Sequence, residues 1–185
     1  IGRDLNRSLD GCRFIGCSEE VASVDLTRAT GAEIILLAVP DDQIANLAKN
    51  ISAQPQSLAE KTLIHFSGRH AAEVMRTDNN RGSYLSIHPL LPFANRQLAS
   101  NRLTNCPCAL EGDDLSIPLG IELIEAFSGQ PFRIESEKKA LYHASACIAS
   151  NFLVTLQSIA AKVLSERGVE IDQAIPLLLP LVKAT

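Results

Sequence analysis

The 185-residue sequence has no run of five or more basic residues, and its formal net charge is −4. A nucleic-acid groove needs clustered Lys and Arg, so this class of partner is not expected. The uninterrupted apolar runs are far shorter than the roughly 20 residues that span a bilayer. Arg3, Asp4 and Arg7 interrupt the opening segment, which argues against a signal peptide there. We therefore expect a cytoplasmic protein without nucleic-acid or membrane partners.

The five cysteines form an odd set that contains no Cys-x-x-Cys pair. Reduced thiols in the cytosol are the simplest interpretation of this pattern. Cys106 and Cys108 are separated by one residue, and no second Cys/His cluster would complete four metal ligands. The sequence therefore predicts no metal site.

Apolar residues make up 46% of the sequence, which is enough for a sizeable core. The run from Ile34 to Val39 contains six apolar residues without alternation, and it predicts a strand buried on both faces of a parallel sheet. Pro40 would end this strand because it has no N–H to give, and Asp41 is the predicted N-cap of a helix that reaches residue 51. Ligands of open α/β sheets bind at such strand ends, although this turn alone fits any α/β protein equally well.

Predicted strands and helices alternate up to residue 134, which indicates a doubly wound, mostly parallel α/β sheet. The predicted strands are 12–17, 34–39, 62–66, 83–87, 107–111 and 131–134, and the predicted helices are 1–9, 19–28, 41–51, 70–76 and 117–127. Pro89 and Pro92 should exclude regular structure after the strand 83–87. Ser116 is the predicted cap of the helix 117–127.

The character of the sequence changes after residue 135. No Gly or Pro occurs from Ser136 to Arg167, and apolar residues recur at helical spacing over about six turns. Ser136 is the predicted N-cap of this helix, and a second helix is predicted from Gln173 to about Leu181. The long helix exceeds the usual length of about 11–12 residues. We interpret residues 135–185 as a helical domain or dimer contact that follows a sheet domain of residues 1–134.

Four segments in fixed order resemble a known group of proteins. They are Leu37-Ala-Val-Pro-Asp-Asp42, Ile64-His-Phe-Ser-Gly68, Ser86-Ile-His-Pro89 and Ala140-Leu-Tyr-His-Ala-Ser followed by Ala149-Ser-Asn151. Together they resemble a family of uncharacterised Rossmann-like oxidoreductases, related to pyrroline-5-carboxylate reductases and prephenate dehydrogenases. In that family an NAD(P)-binding domain precedes an all-helical domain.

The opening Ile1-Gly2-Arg3 resembles the end of the family's G-x-G-x-[IV]-G-R dinucleotide fingerprint. The family's first strand and the first two glycines of the fingerprint have no counterpart in the sequence. The chain could be part of a longer protein, could omit residues at its start, or could have an altered fold, and we favour truncation or omission over a new fold. The end at Thr185, just after an apolar run, also suggests an incomplete helical domain.

The resemblance implies that NADP or NAD is the cofactor. The residues that it implies for cofactor binding are Gly2, Ser18, Ala38, Val39, Pro40, Asp41, Ser67 and Gly68. Pyrophosphate groups bind near glycines at helix N-termini, which offer free N–H groups. A hydroxyl at Ser18 fits NADP somewhat better than NAD, whereas Glu19 and Glu20 would repel a 2′-phosphate. Both cofactors therefore stay open.

Three side chains are candidates for catalysis. His88 follows a predicted strand, where an imidazole could orient a carbonyl or move a proton near neutral pH; it could equally be a loop residue that bonds only backbone. His143 and Asn151 lie eight residues apart on the long helix, about 12 Å along its axis, and the resemblance implies that they line one side of a substrate cleft. They could instead be satisfied polar groups on a packed face, as we expect for His65.

The combined features predict an NAD(P)-dependent oxidoreductase. Its small polar substrate would lie in the cleft between the sheet domain and the helical domain, and the helical domain would form a homodimer. A nucleotide-binding module without turnover, or a dimer built around the helical domain, are the alternatives.

Overall fold

The computed structural model describes residues 32–53, 61–77, 82–91 and 103–184. The strand and helices predicted before residue 30 lie outside the described residues, and so do Gly2 and Ser18.

Five strands form one sheet whose spatial order follows the chain. They are β1 (Ile34–Leu37), β2 (Thr62–His65), β3 (Ser83–Pro89), β4 (Pro107–Gly112) and β5 (Gln130–Arg133). The pairs β1–β2, β2–β3 and β4–β5 are parallel, and β3–β4 is antiparallel. The mostly parallel sheet confirms the predicted α/β class, and the antiparallel β3–β4 pair is a local departure from it.

Two helices follow strands of this sheet. A 3₁₀ turn, Asp41–Gln43, leads into α1 (Ile44–Ser52), and a second, Asp114–Ser116, leads into α2 (Ile117–Ala126). The helix predicted at 70–76 is a shorter 3₁₀ turn, Ala72–Met75. Ser116 is the N-cap residue of α2, as predicted, although its side chain makes no capping hydrogen bond. Asp41 lies inside the 3₁₀ turn and Gln43 is the N-cap residue of α1, so the capping prediction for Asp41 was wrong. The 3₁₀ turns take up the helix entrances where a capping side chain would otherwise act.

The core has two parts, one on each face of the sheet. Alternate strand residues point to opposite faces, so Leu37 and Leu63 pack with α1, whereas Ile64 and Leu85 pack with α2. Ile34 and Leu36 are only partly buried, because β1 is at one edge of the described sheet. The predicted two-sided burial of this strand is therefore complete on one face and partial on the other.

The strand β3 extends two residues beyond the predicted end. His88 pairs with Ala109 and Pro89 with Cys108 in the antiparallel ladder, so regular structure does not stop at Ile87. The prediction was wrong for Pro89, which occupies the last strand position, where a missing N–H costs little. Pro92 lies outside the described residues.

The chain divides into two compact units after Ala140. The predicted boundary after residue 134 stays a prediction. The long helical stretch begins with a 3₁₀ turn, Ser136–Lys138, and continues as α3 (Lys139–Cys147), a π-helical turn (Ile148–Phe152) and α4 (Leu153–Ser165). Ser136 is not its cap, because its hydroxyl bonds to a carboxylate of the sheet.

The second unit continues with α5 (Ile171–Ala184), which packs on α4. Ala161 of α4 and Ala174 of α5 are buried, and such small side chains allow helices to approach closely. This helix is longer at both ends than the predicted segment from Gln173 to Leu181, and Pro176 and Pro180 lie inside it.

We predict that Gly112→Ala destabilises the sheet unit. Gly112 has a φ of +138°, and a Cβ there would lie 2.1 Å from the carbonyl oxygen of Tyr84. We expect the free energy of unfolding, from urea titration followed by circular dichroism, to fall by about 2–4 kcal/mol. Gly120→Ala is the control, because its Cβ would meet only movable methyl groups of Leu110 and Leu85. Equal losses in the two variants would contradict the assignment of strain to Gly112.

Candidate functional site

The carboxyl ends of β1 and β2 open on the same edge of the sheet. The two strands are parallel, and Leu37 pairs with His65, so the segments 38–41 and 66–68 leave the sheet side by side. Ala38, Pro40 and Asp41 are exposed, whereas Val39 packs on the core. The predicted cofactor residues that the structure describes are therefore brought together at one edge.

Gly68 and His88 are in close contact. A Cβ on Gly68 would lie only 2.6 Å from both Cε1 and Nε2 of His88. Glycine is the residue that permits such an approach, because it has no side chain to displace the ring. The structure thus joins a predicted catalytic residue on β3 to a predicted cofactor residue after β2.

The Ser67 hydroxyl shapes the loop that contains Gly68. Its Oγ accepts the backbone N–H groups of Arg69, at 3.1 Å, and His70, at 3.0 Å. Ser67 is itself buried. Ser67 therefore stabilises the conformation of this loop at the sheet edge.

His65 lies beneath the same loop and is fully buried. Its Nδ1 accepts the N–H of Ser67 at 3.1 Å, which assigns the proton to Nε2, and Nε2 donates to the Ala71 carbonyl at 3.2 Å. Burial lowers the pKa of His65 to about 4. The neutral imidazole is a satisfied core residue, as the sequence suggested.

A buried ion pair lies beside this loop, and the sequence did not predict it. Glu111 Oε1 accepts the Ala72 N–H at 2.9 Å and the Lys139 ammonium at 3.0 Å, and Oε2 accepts the Ser136 hydroxyl at 2.7 Å. Lys139 also donates to the hydroxyl of Ser86. Glu111 and Lys139 are 28 residues apart, so no local spacing connects them.

Burial lowers the pKa of Lys139, while the charge of Glu111 and its hydrogen bond to Lys139 oppose that change. The carboxylate of Asp41 acts in the same direction as Glu111. This places the loop after β1 within electrostatic range of the pair.

The candidates on the long helix are linked through a thiol. Cys147 Sγ lies 3.5 Å from His143 Nε2, and Asn151 donates to the same sulfur at 3.8 Å. Within the described residues, the buried Nδ1 atom of His143 has no hydrogen-bond partner. Asn151 lies in the π-helical turn Ile148–Phe152, and such turns are frequent at functional sites. His143 and Asn151 thus share one helix side without a direct bond, as their spacing predicted.

The described residues contain no group of three or more His, Cys, Asp or Glu side chains that could hold a metal ion. Cys106 and Cys108 are buried free thiols, and burial raises the pKa of Cys108 to about 12. The pair therefore belongs to the core around β4.

The mostly parallel sheet, the helices on both faces and the loop-bearing strand ends define a Rossmann-like α/β domain. Residues 17–89 match the profile of the Rossmann-like domain family. Residues 106–185 match a domain of unknown function, DUF2520. The chain is thus similar to a Rossmann-like domain in its first part and to DUF2520 in its second, which agrees with the resemblance found in the sequence.

Three solved structures show the same fold. Protein TM1727 from Thermotoga maritima is 31% identical, with a TM-score of 0.68 over 83% of this chain and 57% of that chain. A semialdehyde dehydrogenase NAD-binding protein from Cupriavidus necator, in complex with calcium and NAD, is 18% identical, with a TM-score of 0.71 over 99% of this chain and 77% of that chain. Pyrroline carboxylate reductase from Plasmodium falciparum, with NADP bound, is 14% identical, with a TM-score of 0.63 over 99% and 71%.

The chain spans 57% of the Thermotoga protein's length, so whole-protein activity is a matter of proposal. No curated protein matches the sequence.

We predict that His65 makes the stability of the sheet unit depend on pH. Its folded pKa of about 4 is below the ordinary histidine pKa of 6.5, so the unfolded state takes up the proton first and acid favours unfolding. The free energy of unfolding should begin to fall near pH 6.5, and by pH 4 the loss from this residue should reach about 3 kcal/mol.

Urea titrations between pH 4 and 7.5 measure this loss. His65→Gln should flatten the pH dependence by that amount, while His70→Gln, at a half-buried position of the same loop, should keep it. Identical pH profiles for His65→Gln and the unchanged protein would contradict the prediction.

Proposed function

We propose that this protein is an NAD(P)-dependent oxidoreductase that acts on a small polar substrate. The observation that carries the proposal is the shared edge of β1 and β2, where the exposed residues Ala38, Pro40 and Asp41 adjoin the Ser67–Gly68 loop. Parallel α/β sheets bind dinucleotides at this kind of edge. The NAD- and NADP-bound structures of the same fold support the choice of cofactor.

The residues at this edge fit a nicotinamide dinucleotide. Ala38 and Gly68 are small, so the backbone can approach a flat ring, and Pro40 keeps the exposed loop after β1 stiff. Asp41 is exposed at the rim of the proposed site, where its carboxylate could accept a hydrogen bond from a ribose hydroxyl. A bound cofactor would supply hydride transfer, while the protein holds and orients the reactants. Gly2 and Ser18 keep their proposed cofactor roles from the sequence.

His88 is the proposed residue for proton handling at the nicotinamide end. It is half-buried on β3 and its ring lies against Gly68, so it borders the proposed cofactor position. An imidazole there can orient a carbonyl or imine and exchange a proton near neutral pH.

His143 and Asn151 are the proposed substrate-handling residues of the helical unit. The buried, unpartnered Nδ1 atom of His143 is a polar group that a ligand could satisfy. The resemblance implies that the substrate lies between the sheet and helical domains, and this position stays a prediction.

A nucleotide-binding module without turnover is the second candidate. The buried acid–base groups Glu111, Lys139 and His65 all have protein partners, so none of them is free to act on a substrate. Such a module would bind the dinucleotide but would not catalyse hydride transfer.

Titration of the full chain with NADPH and NADH, followed by nicotinamide fluorescence, tests cofactor binding. Absorbance loss of the reduced nicotinamide across keto acids, imines and aldehydes then separates enzyme from binding module. We expect saturable binding and turnover of at least one substrate class. Absence of binding to either nucleotide would overturn the proposal.

We predict that His88→Gln lowers turnover by about 100-fold and leaves dinucleotide affinity within a factor of about three. Loss of proton handling affects the chemical step, whereas the cofactor keeps its backbone contacts. Asn151→Ala should also lower turnover. His70→Gln is the matched control, and a rate for His88→Gln equal to that of this control would remove His88 from catalysis.

A large apolar surface remains on the helical unit. The exposed apolar residues of this unit include Leu141, Ile148, Phe152, Val154, Leu156, Ile159, Val163, Leu177 and Leu181. Large exposed apolar surfaces commonly mark protein–protein or membrane interaction sites. We infer that a second copy of the chain covers it, so that the protein is a cytoplasmic homodimer built through its helical unit.

The helical stretch Ser136–Ser165 is long and apolar enough to cross a membrane. Its most apolar 18 residues have a mean hydropathy of 1.5, and 6% of them are buried. Length and composition alone are weak support for a membrane span. The side chains of His143, Asn151 and Lys162 also lie along this stretch, and such groups are costly in hydrocarbon. We therefore favour a protein partner for this surface.

We predict that Ile159→Glu converts the dimer to monomer. A carboxylate on the apolar stripe would lose hydration if the two copies met. Sedimentation velocity should show a dimer for the unchanged protein and a monomer for this variant, while Ser158→Glu, at an exposed polar position of the same helix, stays dimeric. A monomeric unchanged protein, or one extracted only by detergent, would contradict the prediction.

A further inference from the structure

The ion pair between Lys139 and Glu111 is buried although burying charges costs free energy. Lys139 and Glu111 have side chains only 3% and 1% exposed. Removing two such charges from water is costly, and apolar replacements of buried ion pairs are often at least as stable. A gain in folding stability is therefore a weak explanation for this ion pair. Its hydrogen-bond contacts indicate a different role.

The pair and Ser86 hold both ends of one loop. Ser86 and Glu111 are direct partners across β3 and β4, so their side chains lie next to each other. The Ser86 hydroxyl donates to the Ser67 carbonyl at 3.3 Å, and Glu111 accepts the N–H of Ala72 at 2.9 Å. The loop Ser67–Ala72 thus has a side-chain anchor at its start and another at its end.

Lys139 determines which way the Ser86 hydroxyl points. An ammonium group has three donors and no acceptor, so in its contact with Ser86 the hydroxyl oxygen must accept. The Ser86 proton is then left to donate to the Ser67 carbonyl. Without Lys139, the hydroxyl could rotate its proton toward another acceptor, and the anchor of the loop would weaken.

The same carboxylate also holds the start of the long helix. Glu111 accepts the Ser136 hydroxyl at 2.7 Å and the Lys139 ammonium at 3.0 Å. Both donors belong to the first turns of the helical stretch that later carries His143 and Asn151. One buried carboxylate is therefore common to the loop after β2 and to the beginning of this helix.

We infer that Lys139, Glu111 and Ser86 are positioning residues for the Ser67–Ala72 loop, which they hold in the geometry that binds the dinucleotide. This inference rests on the proposed function, because the loop contains Gly68 and contacts His88. The three residues act through the loop and do not touch the cofactor. The sequence contains no motif that assigns this role to them.

Two variants and one control test the inference. Ser86→Ala removes the anchor at the start of the loop, together with one acceptor of Lys139, and keeps both buried charges. The double variant Glu111→Gln with Lys139→Met removes both buried charges while Gln keeps an acceptor for Ala72, so it leaves no unpaired buried charge. Lys138→Met is the control, because Lys138 is the exposed neighbour of Lys139 and forms a surface ion pair with exposed Glu135.

The measurements are the dissociation constant for NADPH and NADH and the hydrogen-exchange rates of the Arg69 and His70 amides, which bond to Ser67 Oγ. Both are taken well below each variant's unfolding temperature. We expect Ser86→Ala and the double variant to raise the dissociation constant at least tenfold and to speed both amides at least tenfold. Lys138→Met should change neither quantity by more than twofold.

A purely structural role would lower the unfolding temperature and leave both quantities unchanged, and that result overturns the inference. If the unchanged protein binds neither nucleotide, the proposed function fails. The exchange rates then decide the inference about the loop by themselves, since unchanged amide protection in Ser86→Ala would overturn it.

Discussion

The parallel pairing of β1 with β2 is the constraint on which the proposed site depends. Parallel strands end at the same edge, so their register brings Ala38–Asp41 next to Ser67–Gly68. An antiparallel pair would send these segments to opposite ends of the sheet. The apolar clusters on the two faces stabilise this pairing, and the exposed residues Ala38, Pro40 and Asp41 at its edge are left for binding.

Buried polar groups then determine the shape of that edge. His65 from below, and Ser86 with Glu111 from the neighbouring strands, satisfy the backbone of the loop after β2. Each of these groups is fully or almost fully buried, where an unmade hydrogen bond would be expensive. The loop conformation is therefore specified by the core beneath it, and the close contact between Gly68 and His88 follows from that conformation.

The parts of this protein that the sequence predicted are those with local signals. Apolar runs predicted β1 and β2 to within two residues, and the absence of Gly and Pro between Ser136 and Arg167 predicted the long helix. Single side chains were less predictable: Asp41, Ser116 and Ser136 have capping chemistry, but none of them makes a capping side-chain hydrogen bond. Ser136 instead bonds to Glu111, a choice made by the tertiary structure. The Lys139–Glu111 pair joins residues on separate elements, and no spacing rule could find it. The π-helical turn around Asn151 likewise has no recognised sequence signal.

The central claim is that a nicotinamide dinucleotide binds along the edge formed by β1 and β2. The most direct measurement is a crystal structure of the protein grown with NADP⁺, and in parallel with NAD⁺. We expect density for the nicotinamide half of the cofactor beside Ala38–Pro40 and the Gly68 loop. A bound nucleotide at any other place, or an empty edge at saturating concentrations of both nucleotides, would contradict the account.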